Sequence, residues 1–250
     1  MITKNVKKIA VVSIAVSLLT VGAVPVFAAP PYLGLRDREA TESNNQATLL
    51  ANLKNRADNA IEARITHLTK LIDIINNIKR LTSAQKATLV GQVQDEINSL
   101  NTLKTKIDAD TDLTTLRTDV KSIVQSFRVY VVFMPKIYII AHADRIMDVV
   151  SLFQTLESKL TARVSAAGNP SSLTSLLSDM TAKVTDAGTQ AQNAINTVLP
   201  LTPDGWPGNK AQLESARTML QTARQDLEDA LHDAQGIRQG LPKVTPTPAP

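Results

Sequence analysis

Residues 113–141 read LTTLRTDVKSIVQSFRVYVVFMPKIYIIA, and the spacing of their apolar side chains decides the fold class. Leu113, Leu116, Val120, Ile123, Phe127, Tyr130, Met134, Ile137 and Ala141 recur at alternating steps of three and four. That period keeps one stripe of an α-helix against a partner. The register passes straight through Pro135. A proline inside a helix removes a hydrogen bond and crowds the preceding turn, so the unbroken stripe predicts one helix over 112–167, kinked near Pro135. The β-branched residues Val129, Val131, Val132, Ile137, Ile139 and Ile140 also admit extended segments over 128–134 and 136–140. Alternation is poor in both, and the helix is the preferred reading.

The same rhythm extends in both directions. Upstream, Ile61, Ile65, Leu68, Ile72 and Ile75 place a helix over about 38–80, and Val90, Val93, Ile97, Leu100 and Ile107 place another over 83–107. Between them Thr82-Ser83-Ala84-Gln85 has the spacing of a capping box. Asp112 or Thr111 caps the next helix, whose positive N-terminus the run Asp108, Asp110, Asp112 favours. Downstream, Ile146, Val149, Phe153, Leu156 and Leu160 carry the stripe to Gly168-Asn169-Pro170, which closes one helix and opens another. Leu173, Leu177, Met180, Val184, Ala187, Ala191, Ile195 and Val198 define a helix over 170–199. After the loop Thr202-Pro203-Asp204-Gly205-Trp206-Pro207-Gly208, a last helix over 209–239 carries Leu213, Ala216, Leu220, Ala223, Leu227, Ala230, Ala234 and Ile237 on one face. Long helices joined by short turns bury their stripes by lying antiparallel, so the fold class is all-α, an elongated antiparallel helical bundle over 38–240 with coiled-coil-like seams. Five of the eight aromatic residues fall between Phe127 and Phe153, where the core is expected to be thickest.

The termini read differently. Lys4, Lys7 and Lys8 precede an uncharged apolar run from Ile9 to Val24, followed by Pro25 and small residues at Ala28 and Ala29. This is the pattern of a signal peptide over 1–29, cleaved after Ala28 or Ala29; an uncleaved anchor is the alternative. Residues 30–37 form a flexible N-terminal segment, and the proline- and threonine-rich 241–250 form an extended tail. No later stretch reads as long and charge-free enough to span a bilayer. The expected location is therefore periplasmic, cell-surface or secreted, with membrane contact only through the signal segment before cleavage.

Removing Lys4, Lys7 and Lys8 lowers the formal net charge from +4 to +1. The remaining charges of both signs are interspersed, without the basic cluster that nucleic acid requires, so no nucleic-acid partner is expected. Without cysteine there are no disulfides, thiolate metal sites or cysteine nucleophiles. His67, His142 and His232 lie on different helices with no second histidine at helical ligand spacing. Asp108, Asp110 and Asp112 alternate as a calcium loop does, but Leu113 and Asp119 stand where an EF-hand needs glycine and glutamate; helix capping is the plainer role. No catalytic residues, metal ligands or cofactor-binding residues are assigned, and no cofactor is expected.

Three polar side chains interrupt the apolar middle: Arg128, Lys136 and Asp144. Asp144 falls on a seam position and must find a partner on another helix. Trp206, flanked by prolines, either closes the end of the bundle or anchors a protein contact.

Lys106-Ile107-Asp108-Ala109-Asp110-Thr111-Asp112-Leu113, followed by Arg117-Thr118-Asp119-Val120 and Phe127-Arg128-Val129-Tyr130, resembles uncharacterised exported helical proteins of small-genome candidate-phylum bacteria. The likeness covers about a third of the chain after the leader. It implies helix and export, and transfers neither activity nor site residues. The functional expectation is a non-enzymatic structural or protein-interaction module of the bacterial cell envelope, with an envelope or extracellular protein as partner. An amphipathic lipid-surface binder is the first alternative, and an enzyme or ligand binder with a site in the bundle core is the second.

Overall fold

The computed structural model describes residues 44–242. The signal peptide expected over 1–29, the segment 30–37 and the tail beyond Pro242 lie outside the described residues. Within them the chain is an all-α bundle of six α-helices, and no strand occurs among the described residues. The order is α1 (Asn44–Asn77), α2 (Ser83–Ala109), α3 (Leu113–Gln125), α4 (Met134–Ala166), α5 (Ser171–Val198) and α6 (Asn209–Gly240), with a π-helical turn at Val129–Phe133 and a 3-10 turn at Pro203–Gly205.

The caps form as their sequences dictate. The Thr82 hydroxyl accepts from the Gln85 amide at 3.2 Å, while the Gln85 side chain accepts from the Thr82 amide at 2.8 Å. Asp112 caps α3 by accepting from the amide and hydroxyl of Thr115 at 2.8 and 3.0 Å. At the end of α4 the amide of Asn169 donates to Val164 and that of Gly168 to Ser165, both at 3.0 Å. This paired closure needs a left-handed residue, and Gly168 supplies it at φ 83°.

The helix expected over 112–167 is interrupted, and not at Pro135. The backbone leaves α3 after Gln125, passes through Arg128 in the left-handed region at φ 37°, and re-forms as the π turn before α4. Pro135 sits in the first turn of α4, where its missing N–H costs least. The valines at 129, 131 and 132 weaken helix propensity just upstream, so the interruption falls before the proline. The apolar register still runs through: Leu116, Val120, Ile123, Phe127, Met134 and Ile137 are all buried. By length and composition Leu113–Ala166 does contain a window apolar enough to cross a membrane, contrary to the sequence reading, but half of that window is buried inside the protein.

The helices sort into two sets of three. Helices α1, α2 and α3 pack together, as do α4, α5 and α6, and the first half of α4 also packs on α1. Lys54 near the start of α1 reaches the Asp108 carbonyl at 2.6 Å, while Lys86 at the start of α2 reaches the Asn76 carbonyl at 2.9 Å, so α1 and α2 run antiparallel. The second set closes around Phe153, Met180, Val184 and Ile237, with Ala187, Ala223 and Ala230 letting backbones approach. On α6 all eight stripe residues are buried; on α2 Leu89 takes the inner position expected of Val90.

Candidate functional site

Two of the polar side chains that the sequence places in the apolar middle, Lys136 and Asp144, lie on α4 and reach residues of the first set of helices at separate points. Lys136 is the most deeply placed, with 0% exposure. It lies on α4 just after Pro135 and directs its ammonium to the Leu201 carbonyl at 2.9 Å and to Gln92 Oε1 on α2 at 3.3 Å. Burial pulls its pKa down from the usual lysine value to about 8. One turn further along α2, Glu96 has its pKa pushed up to about 7 by burial, with Asp204 on the 3-10 turn adding to the effect. One carboxylate oxygen of Glu96 is buried without a hydrogen-bond partner.

Asp144 is also buried, and it does find its partner on another helix. Its Oδ1 accepts from the main-chain amides of Lys79 and Arg80 at 3.0 and 2.8 Å. Those amides would otherwise extend α1, which is why the helix expected to reach residue 80 stops at Asn77. One turn on, Asp148 pairs with Lys79 at 2.6 Å and Arg80 at 3.4 Å, and the Lys79 hydrogen bond holds its carboxyl below the usual range.

A third cluster forms at the interruption between α3 and α4. Arg64 takes an inward position on α1 between Ile61 and Leu68, and its Cζ stands 5.1 Å from the centre of the Tyr130 ring. The Tyr130 hydroxyl lies 2.9 Å from His67 Nδ1, with the two rings edge to face. Periodicity passes over Arg64: stepping four then three from Ile61 lands on Ile65 and Leu68, whereas stepping three then four lands on Arg64 before Leu68.

Arg128, Lys136, His142 and Asp144 therefore do not converge. Arg128 is partly exposed at the left-handed turn, His142 is partly exposed, and Lys136 and Asp144 point to different partners. Burial and Arg145 together hold the His142 pKa down. An open groove between α1 and α4 is lined by Asp73, Ile74, Asn77, Ala141, Asp144 and Arg145, without Lys136. Another lies between α4 and α5 beside Glu157 and Thr181, whose hydroxyl donates to that carboxylate at 2.8 Å.

The aspartate run divides its labour. Asp112 caps α3, and its bonds to Thr115 keep its carboxyl low. Asp110 ends α2, and burial followed by the neighbouring Asp119 raises its pKa. Asp119 accepts from Lys106 at 2.8 Å. Among the described residues no three His, Asp or Glu side chains are grouped to hold a metal ion. His232 is exposed on α6. Trp206 follows the 3-10 turn, partly buried, in the loop between α5 and α6. There Asn209 is buried and its side-chain amide donates to the Thr202 carbonyl.

No family model matches the chain, and neither the curated proteins nor the solved structures give a match.

Proposed function

We propose that the chain is an exported, non-enzymatic structural or protein-interaction module of the bacterial cell envelope. The observation that carries this reading is the dispersal of the polar side chains in the apolar middle. Lys136 ties α4 to α2 and to the end of α5, and Asp144 ties α4 to the turn between α1 and α2. Each is spent on joining helix to helix, and the groove that Asp144 lines is lined by none of Arg128, Lys136 and His142. Catalysis requires acid, base and substrate-orienting groups to meet around one reacting atom; this arrangement instead fixes a set of helical faces. Export is supported by the basic then apolar order of the first 29 residues.

Expression of the full chain in a bacterial host, followed by fractionation and N-terminal sequencing, tests the export half. Processing after Ala28 or Ala29 with recovery outside the cytoplasm supports it; an unprocessed cytoplasmic product overturns it. For the second half, the processed protein is sedimented with isolated envelope and floated with protein-free liposomes. Saturable binding to protein-bearing envelope alone supports an interaction module. Equal binding to bare lipid moves the reading to a lipid-surface protein.

A further inference from the structure

We propose that Arg64, His67 and Tyr130 form a binding site for a small oxyanion, the chemistry shared by phosphate and carboxylate groups. The inference is independent of where the chain resides in the cell.

Arg64 carries a permanent charge into the interior. It is 5% exposed, between Ile61 and Leu68 at 0% each. A guanidinium offers five donors in a planar fork. One of these, on Nη1, goes to the Ala60 carbonyl of its own helix at 2.8 Å. Among the described residues no Asp or Glu forms an ion pair with it. Buried arginines are ordinarily paired, because an uncompensated buried ion is costly. The Tyr130 face offsets part of that cost as a cation–π contact, and a face supplies no acceptor for the fork's remaining N–H groups.

Of the neighbours that act on this cluster, Lys70 carries the same sign as Arg64. His67 sits one turn along α1 from Arg64, and burial, then Lys70, then Arg64 push its pKa down. Among the described residues no acid acts on Arg64: burial lowers its pKa and Tyr130 opposes it. A guanidinium, an imidazole and a phenol thus converge at the interrupted helix, with Lys70 exposed nearby. His67 and Tyr130 are partly exposed, so the cluster reaches the surface through them, with the buried Arg64 guanidinium over the Tyr130 ring. An oxyanion seated there would accept in bidentate fashion from the Arg64 fork and from the Tyr130 hydroxyl, supplying the negative charge that the described residues omit.

The test is titration of the purified protein with inorganic phosphate and, separately, acetate, against potassium chloride at matched ionic strength, followed by NMR of the His67 ring. A saturable shift with either oxyanion, accompanied by a rise in the His67 pKa, is expected; response to phosphate alone, acetate alone or both identifies the preferred source. Arg64→Lys keeps the charge and loses the fork, and should weaken binding by about tenfold. Tyr130→Phe keeps the ring and loses the hydroxyl, and should weaken it less. No shift beyond that of chloride, or unchanged affinity in Arg64→Lys, overturns the proposal. Should Arg64→Lys not fold, Tyr130→Phe decides, read on the same His67 ring: unchanged affinity overturns it equally.

Discussion

The buried Lys136 ammonium lies 2.9 Å from the main-chain carbonyl oxygen of Leu201, just past the end of α5. The contact joins α4 to the loop that carries Trp206 and gives a lysine in the core its strongest acceptor. It does not restore the hydration the charge has lost, and so the pKa falls to about 8.

Stability should therefore rise at alkaline pH. The folded pKa lies below the ordinary lysine value of 10.5, so between about pH 8 and 10.5 the unfolded chain binds the proton that the folded chain has released. The penalty of the buried charge is fully present below pH 8 and is relieved as pH climbs toward 10.5. Lys136→Met keeps the stem and removes the charge. It should flatten that slope and raise stability at pH 7 by about 1–3 kcal/mol, measured by urea unfolding from pH 7 to 10.5.

Glu96 should act in the acid range with the opposite slope. Its folded pKa of about 7 stands above the ordinary glutamate value of 4.5, so the folded chain holds the proton more tightly in between. The protonated form favours folding, and that advantage is lost as pH rises from 4.5 through 7. Thermal unfolding across this range should show the loss, Glu96→Gln should abolish it, and Asp204→Asn should lower the Glu96 pKa seen by NMR.

Asp144→Ala should expose the turn after α1. It leaves the amides of Lys79 and Arg80 without their acceptor at a part-buried position, a loss of about 1–2 kcal/mol. Amide exchange at Lys79 and Arg80 should accelerate more than in the centres of α5 and α6. Asp144→Asn retains an acceptor oxygen and should cost less.

Gly168→Ala places a Cβ on a residue at φ 83°. No atom blocks it within 4 Å, so the cost is the left-handed backbone alone, about 1 kcal/mol. Asn169, also left-handed at φ 52°, pays little for its own conformation. Chemical unfolding of Gly168→Ala should show the loss with an unchanged m-value.

Helices α5 and α6 were legible almost residue by residue, because each buries one stripe against two neighbours throughout and its ends carry strong stop signals. The capping box at Thr82 and the cap at Asp112 are local chemistry, and local sequence suffices to find them. The end of α1 was not legible, since the carboxylate that captures its last amides comes from Asp144, far along the chain. Nor was the interruption at Arg128: a three-four count survives a break when the chain re-enters in register, and the pattern is blind to the backbone between stripes. Arg64 is hidden for a related reason: Ile65 beside it also satisfies the stripe, and the count alone does not say which of the two faces inward. Lys136 and Asp144 were recognised as anomalies, but sequence alone did not separate a shared pocket from two independent ties.

Because the opening half of α4 packs on α1 while the rest of that helix belongs with α5 and α6, the molecule has no clean parting line. A chain divided at Arg128 would uncover the face of α1 that meets α4 while α2 and α3 stay on its other sides, so the front fragment should be less stable than the rear fragment, which keeps its core. The intact protein should correspondingly melt in one calorimetric step, the shared rod making the two stacks a single cooperative body.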